Sequence, residues 1–136
     1  MYKTKKILII EDEKVVSGMY KEAFQKEGFL VSVAKNHPIG LKMVKKEKPD
    51  LILLDLLIPA EDSTLGQFDF RLPLGLDILK QIKRDPELKN IKVIVLTNLD
   101  ADQNRLSATA CGAEEYIIKT EKTPAEIVEI VKQKLV

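Results

Sequence analysis

The feature that most constrains the fold of this chain is a set of four short apolar runs, each followed by polar side chains. The runs occupy residues 7–10, 51–54, 93–96 and 116–118, and the groups that follow them are Glu11-Asp12-Glu13, Asp55, Thr97-Asn98 and Lys119. Short, uniformly apolar runs are typical of strands buried on both faces of a parallel sheet. The carboxyl ends of parallel strands lie at one edge of a sheet, so these polar groups are expected to converge there.

Helical patterns separate the apolar runs. We predict strands at 7–11, 29–34, 51–55, 92–97 and 115–118, and helices at about 14–27, 38–47, 75–84, 102–111 and from 124 onward. Gly28 favours a left-handed turn after the first helix, and Thr123 with Glu126 predicts a capping box at the last. The (βα)₅ order predicts an α/β fold with a doubly wound, five-stranded parallel sheet. Ligands of such sheets bind beyond the carboxyl ends of the strands.

Composition argues against several classes of function. With 136 residues, 45% of them hydrophobic and 32% charged, the chain is expected to form a single domain over residues 1–136. A formal charge of +1 argues against direct nucleic-acid binding, and no apolar segment approaches the ~20 residues that cross a membrane. The only cysteine, Cys111, excludes an internal disulfide. Because no signal peptide is evident at the N-terminus, a cytoplasmic protein is expected.

One segment interrupts the alternation of strands and helices. Residues 60–74 lie between the third strand and the third helix, where about two to six residues are usual. The segment mixes acidic residues with Phe68 and Phe70 and has no helical period. We therefore predict an extended loop, anchored by the two phenylalanines.

The acids that follow two of the strands indicate a metal site. A buried carboxylate such as that of Asp55 is costly unless a cation or strong hydrogen-bond donors accompany it. Glu11, Asp12 and Asp55 offer the hard oxygen ligands that Mg²⁺ prefers, and phosphate oxygens commonly complete its coordination. The Thr97 hydroxyl and the Lys119 ammonium would then contact the oxygens of a phosphoryl group. Phosphoryl transfer depends mainly on positioning and charge neutralisation, which these groups supply.

The order of these groups resembles the receiver domain of bacterial two-component response regulators, in its single-domain type. The resemblance covers nearly the whole chain, and the segments that carry it are 9–13, 54–59, 96–98 and 112–119. It implies the flavodoxin-like receiver fold and a protein of two-component or phosphorelay signal transduction. It also implies Mg²⁺-dependent transfer of a phosphoryl group from a kinase histidine to Asp55, which switches a protein-binding surface.

The resemblance implies a role for each residue of the site. The metal-binding roles belong to Asp12 as a direct ligand, Glu11 through water, the phospho-acceptor Asp55, and the backbone carbonyl of Leu57. The roles in sensing and switching belong to Thr97, Lys119 and Tyr116. Thr97 would move toward the phosphoryl group, and Tyr116 would pack inward or swing outward with it.

Three positions depart from the family pattern. Glu11 stands where aspartate is commoner, and Asn98 stands where a small residue is usual. Thr120 follows Lys119 in place of a proline whose peptide bond is typically cis. A cis bond before any other residue costs ~2.5–4 kcal/mol, so a trans bond between Lys119 and Thr120 is expected.

Three other functions fit the same pattern less well. A dehalogenase-type phosphatase needs a second acid two residues after its nucleophile, where this chain has Leu57. A flavin-binding electron carrier needs a phosphate loop after the first strand, where the acids at 11–13 would repel phosphate. A degenerate receiver that acts as a phosphorylation-independent binding module is disfavoured by the intact set of site residues.

The resemblance implies a signalling protein and not an enzyme. Its expected partners are a sensor histidine kinase or phosphotransfer protein and a downstream protein target, with no nucleic acid or membrane bound directly. With no effector segment after the fifth helix, output is expected through protein contacts. Homodimerisation through the fourth helix, fifth strand and fifth helix stays open. His37, beside Pro38, is interpreted as a surface residue at a helix start and not as a ligand.

Overall fold

Five strands alternate with five helices in the computed structural model, which describes residues 4–57 and 75–136. The elements are β1 (Lys6–Ile10), α1 (Lys14–Lys26), β2 (Leu30–Ala34), α2 (His37–Glu47), β3 (Leu51–Leu54), α3 (Gly75–Arg84), β4 (Lys92–Thr97), α4 (Asp102–Ala110), β5 (Glu115–Ile118) and α5 (Pro124–Leu135). A short 3₁₀ turn, Lys119–Glu121, precedes α5. The predicted order of elements is confirmed. Two strands end one residue earlier than predicted, so Glu11 and Asp55 begin loops.

The strands form one parallel sheet in the order β2-β1-β3-β4-β5. The chain passes from β1 to β2 on one side and then returns to place β3 on the other side of β1. The strand order therefore reverses between β1 and β3, and such a reversal is where doubly wound sheets bind ligands. Ile10 pairs with Leu54, so the acids that follow these two strands are neighbours.

Each face of the sheet packs against its own group of helices. Alternate residues of β3 point to opposite faces: Ile52 and Leu54 join one hydrophobic cluster, and Leu51 and Leu53 join the other. The first cluster contains buried residues of α2, α3 and α4, and the second contains buried residues of α1 and α5. All four β3 residues are buried, which explains their continuous apolar character.

The helix ends follow the predicted local chemistry. Gly28 has φ of +93° directly after the α1 C-cap, in the left-handed region that glycine tolerates. At the start of α5, the Thr123 hydroxyl accepts from the Glu126 N–H at 3.1 Å. The Glu126 carboxylate in turn accepts from the Thr123 N–H at 2.9 Å, which completes the capping box. These contacts fix where α5 begins, just beyond Lys119.

Two further sequence-based expectations concern the predicted long loop and the absence of a membrane-spanning segment. The predicted loop at 60–74, with Phe68 and Phe70, lies outside the described residues. Among the helices described, none combines the length and the apolar character that a bilayer-spanning segment requires.

Candidate functional site

Asp55 follows β3 directly and faces a cleft at the carboxyl edge of the sheet. Its backbone N–H donates to the Ile10 carbonyl at 3.1 Å, which extends the pairing between β1 and β3. Its Oδ1 accepts from the Leu57 N–H at 3.1 Å, and its Oδ2 accepts from Lys119 Nζ at 2.8 Å. Because only 7% of the residue is exposed, these donors replace much of the water that a carboxylate normally binds.

Lys119 connects two of the acids. It follows β5 directly, and its Nζ donates to Oε1 of Glu11 as well as to Asp55. Burial lowers the pKa of Lys119, but the hydrogen bonds and negative charges of Asp55 and Glu11 raise it above its ordinary value. Burial raises the pKa of Glu11, and the Lys119 ammonium opposes this effect only in part. The lysine therefore stays charged between the two acids.

Glu11, Asp12 and Asp55 are suited to a divalent cation. Each offers one carboxylate oxygen, and the three oxygens lie within 4.8 Å of one another. Glu11 and Asp55 are buried, and Asp12 is exposed at the solvent side of the cleft. Lys119 is the only cation among the described residues that line the cleft, whereas four acidic residues line it: Glu11, Asp12, Glu13 and Asp55. Hard oxygen donors with excess negative charge fit Mg²⁺, as the sequence predicted.

The other predicted site residues line the same cleft, which has a volume of about 410 Å³. Thr97 ends β4 and is 1% exposed, and Leu57 lies two residues beyond Asp55. The structure thus brings together Glu11, Asp12, Asp55, Leu57, Thr97 and Lys119. We call this set the acid pocket.

Tyr116 lies beside the acid pocket and is not among its lining residues. Its hydroxyl donates to the Leu99 carbonyl at 2.6 Å, and the Leu99 N–H is 3.4 Å from Thr97 Oγ1, which accepts from it. Leu99 therefore joins the two residues for which the resemblance implies a switch. Burial raises the pKa of the Tyr116 phenol. On α4, Arg105 covers the ring at 4.8 Å and donates to the Tyr116 carbonyl at 3.1 Å.

The interpretation of His37 as a surface residue is wrong. His37 is the first residue of α2, it is 6% exposed, and its Nε2 lies 2.8 Å from the backbone carbonyl oxygen of Asp55. The prediction failed because a helix start is usually exposed. This helix instead begins at the carboxyl edge of the sheet, beside the end of β3. The available signal was the short connection, since only two residues separate the end of β2 from the start of α2.

Tyr20 is a further residue that the sequence did not assign to the site. It is 2% exposed and lines the cleft together with Val16, four residues earlier on α1. Burial raises the pKa of Tyr20, and the nearby Lys119 ammonium opposes this rise. No local pattern of the sequence shows that α1 borders the acids, because this proximity depends on how the helix packs against the sheet.

The three departures from the family pattern all lie within the described residues, and Glu11 belongs to the acid pocket. Asn98 lines the cleft beside Thr97. The described ranges contain no cis peptide bond, so the bond between Lys119 and Thr120 is trans, as predicted. Lys119 reaches both acids from the 3₁₀ turn without a proline after it.

The sequence model of the response regulator receiver domain matches residues 7–132. The chain belongs to this family. Phosphate regulon transcriptional regulatory protein PhoB from Pseudomonas aeruginosa is 30% identical to it over 128 residues, which are 94% of this receiver and 50% of that protein. Response regulator PleD from Caulobacter vibrioides is 27% identical over 114 residues, 84% of this receiver and 22% of that protein. The chain thus spans half or less of these relatives.

Solved receivers share the fold over almost the full length of this one. A CheY-like receiver domain protein from Methanospirillum hungatei has a TM-score of 0.80 at 25% identity, with 96% of this chain and 93% of that chain covered. The BeF3-activated N-terminal receiver domain of RstA from Klebsiella pneumoniae has a TM-score of 0.79 at 26% identity, with 96% and 98% covered. The flavodoxin-like receiver fold predicted from the sequence is therefore confirmed.

Proposed function

We propose that this receiver accepts a phosphoryl group on Asp55 from the histidine of a sensor kinase or phosphotransfer protein, in a Mg²⁺-dependent reaction. The observation that carries the proposal is the contact of 2.8 Å between Lys119 Nζ and Asp55 Oδ2, beside three acids whose oxygens lie within 4.8 Å of one another. Lys119 would orient the acceptor, and the acids supply a metal site.

The residues present account for the steps of transfer. A carboxylate oxygen of Asp55 attacks phosphorus, and the bond between phosphorus and the donor nitrogen breaks as the new P–O bond forms. Lys119 neutralises charge on the phosphoryl oxygens, and the Leu57 N–H holds the second carboxylate oxygen. Glu11 through water, Asp12, Asp55 and the Leu57 carbonyl would hold Mg²⁺. Bound there, the ion would reduce repulsion between the acids and the incoming phosphoryl group.

Phosphorylation would bias a switch through Thr97 and Tyr116. A phosphoryl group adds about −1.5 to −2 charges and strong acceptor oxygens. The Thr97 hydroxyl would turn toward these oxygens and weaken its contact with the Leu99 N–H. Because Leu99 also accepts from Tyr116, the aromatic side chain and the surface of α4, β5 and α5 would respond. That surface would contact a downstream protein target or a second copy of the chain.

The family and the similar proteins support this proposal without fixing its details. Receivers are generally signalling modules, and the receiver of RstA is one that BeF3 activates. We propose that residues 1–136 act as one receiver domain. We further propose that it signals through protein partners and not as an enzyme with its own substrate. Which kinase and which target bind this receiver depends on the complementary surfaces of each protein pair.

Intact mass measurement tests the acceptor. The receiver is incubated with acetyl phosphate and Mg²⁺, and we expect a mass increase of one phosphoryl group that Asp55→Asn abolishes. Asp77→Asn, which removes an exposed acid on α3, is the matched control and should remain phosphorylated. A phosphorylated Asp55→Asn variant, or a wild-type protein that no phosphodonor modifies, would refute the proposal.

A further inference from the structure

We propose that His37 is a positioning residue for phosphoryl transfer, because it holds the main chain of the acceptor Asp55 in place from outside the lining of the acid pocket. The inference rests on the proposed function and extends it to a residue outside the cleft lining. Its basis is the hydrogen bond from His37 Nε2–H to the Asp55 carbonyl, at 2.8 Å between two buried residues.

The backbone carbonyl of Asp55 lies where the sheet no longer supplies a partner. The pairing of β1 with β3 ends at Ile10 and Leu54, and the Asp55 N–H adds the last contact, to the Ile10 carbonyl. A buried carbonyl needs a donor, and the imidazole of His37 supplies it. With the bonds to Leu57 and Lys119, each polar atom of Asp55 is then hydrogen-bonded.

The start of α2 holds His37 rigidly for this contact. Asn36 caps the helix by accepting from the Ile39 N–H at 2.8 Å, and Pro38 fixes the backbone after His37. One turn later, a Cβ on Gly40 would lie 2.6 Å from the Ile10 side chain, so α2 approaches β1 as closely as a glycine allows. The imidazole therefore projects from a fixed helix end.

Another element confines the same carbonyl. Gly75 begins α3, and a Cβ built on it would lie 3.0 Å from the Asp55 carbonyl oxygen and 2.6 Å from the Leu56 Cα. The acceptor backbone thus lies between the starts of α2 and α3. Small displacements of reacting atoms reduce transfer rates. Loss of the hydrogen bond from His37 would allow Asp55 to shift, and it should therefore lower the rate of phosphorylation.

Opposing effects act on the pKa of the His37 imidazole. Burial lowers its pKa, while the hydrogen bond and the negative charges of Asp55 and Asp12 act in the opposite direction. The contact requires only that Nε2 carries a proton, since a carbonyl oxygen can only accept.

A matched pair of variants separates hydrogen bonding from packing. His37→Gln keeps an N–H donor at a position close to Nε2. His37→Met introduces a side chain of nearly the same shape as glutamine but without a donor. With acetyl phosphate and Mg²⁺, we expect His37→Met to be phosphorylated roughly three- to tenfold more slowly than wild type, the scale of one lost buried hydrogen bond. His37→Gln should stay within about twofold of wild type, and circular dichroism confirms that both variants fold.

Each result decides between positioning and simple structural support. Equal rates for His37→Met and wild type, or equal losses in both variants, would overturn the inference and leave phosphorylation at Asp55 intact. Failure of wild type itself to be phosphorylated would overturn the proposed function and this inference together. Nitrogen NMR of the wild-type imidazole, the single histidine of the chain, gives an independent measurement that needs no variant to fold. A neutral ring protonated on Nδ1 would overturn the inference.

Discussion

At the scale of single residues, the acid pocket depends on a few hydrogen bonds that each serve two purposes. Lys119 stabilises Asp55 and Glu11 at once, and Leu99 connects Thr97 to Tyr116 through its own N–H and carbonyl. Loss of one such contact would therefore affect two residues, which is the property that a switch requires.

The hydrogen bond from Tyr116 to Leu99 leads to a prediction with a defined pH dependence. Tyr116→Phe should lower the free energy of unfolding by about 1 kcal/mol near neutral pH, because the half-buried Leu99 carbonyl loses its donor. Burial raises the pKa of the phenol, so the folded protein keeps this proton at a pH where the unfolded chain, with a pKa near 10.0, releases it. The stability that Tyr116 contributes is thus fully present below the unfolded-state pKa of 10.0, and it is lost as pH rises through the higher pKa of the folded protein.

Denaturant unfolding of both proteins at pH 7 and above pH 10 measures this difference. The gap between wild type and Tyr116→Phe should narrow as pH rises. The comparison isolates Tyr116 because Tyr20, whose pKa burial also raises, is present in both proteins. A gap that is constant or widens with pH would contradict the assigned environment of the phenol.

At the scale of elements, the starts of helices place the functional groups. Two helices that begin at the carboxyl edge, α2 and α3, both approach the backbone of Asp55. The Gly75 N–H donates to the Leu56 carbonyl at 2.9 Å, so α3 is joined to the end of the segment that follows β3. This approach is possible only because residue 75 has no side chain.

The close approach at Gly75 predicts opposite effects for two glycine substitutions. Gly75→Ala should destabilise the fold by ~1–3 kcal/mol, because its Cβ would lie 2.6 Å from the backbone of Leu56, which cannot easily move. Gly18→Ala is the control within α1, where nothing lies within 4 Å of the added Cβ. It should stabilise the fold by ~0.5–1 kcal/mol through higher helix propensity. Urea unfolding distinguishes them, and a Gly75→Ala variant as stable as wild type would show that the close approach is not required.

At the scale of the whole molecule, the sheet gathers negative charge at one edge that the described residues lining the cleft do not neutralise. Glu11, Asp12 and Asp55 come from two strand ends, and Lys119 comes from the far end of the chain. The fold thus holds three carboxylates close together at some cost in free energy, which a bound cation would offset.

Metal addition and removal test this charge balance. At a Mg²⁺ concentration ten times its dissociation constant, the free energy of unfolding should rise by ~1.4 kcal/mol, because the ion binds only the folded state. A chelator should reverse the gain, and Asp12→Asn should reduce it, whereas Asp77→Asn on α3 should retain it in full. Thermal unfolding with and without Mg²⁺ measures the effect. Equal gains in Asp12→Asn and wild type would place the ion elsewhere.

The amino-acid sequence by itself determined the alternation of strands and helices, the capping box at Thr123, and the convergence of the acidic residues with Thr97 and Lys119. These features follow from local patterns, because apolar runs and helical periods report burial within one element. The parallel arrangement of the strands then determines which strand ends lie at the same edge of the sheet. The family resemblance added the roles of the site residues, which remain proposals.

Only the tertiary structure decided which side chains meet across distant parts of the chain. Lys119 contacts Glu11 across 108 residues, His37 contacts the carbonyl of Asp55, and Arg105 covers the ring of Tyr116. No local period encodes these pairs, because each depends on strand register and on where neighbouring helices begin. A helix start that the sequence suggests is exposed becomes buried when it lies against the end of another strand at the edge of the sheet. For this reason the burial of His37 was not predicted.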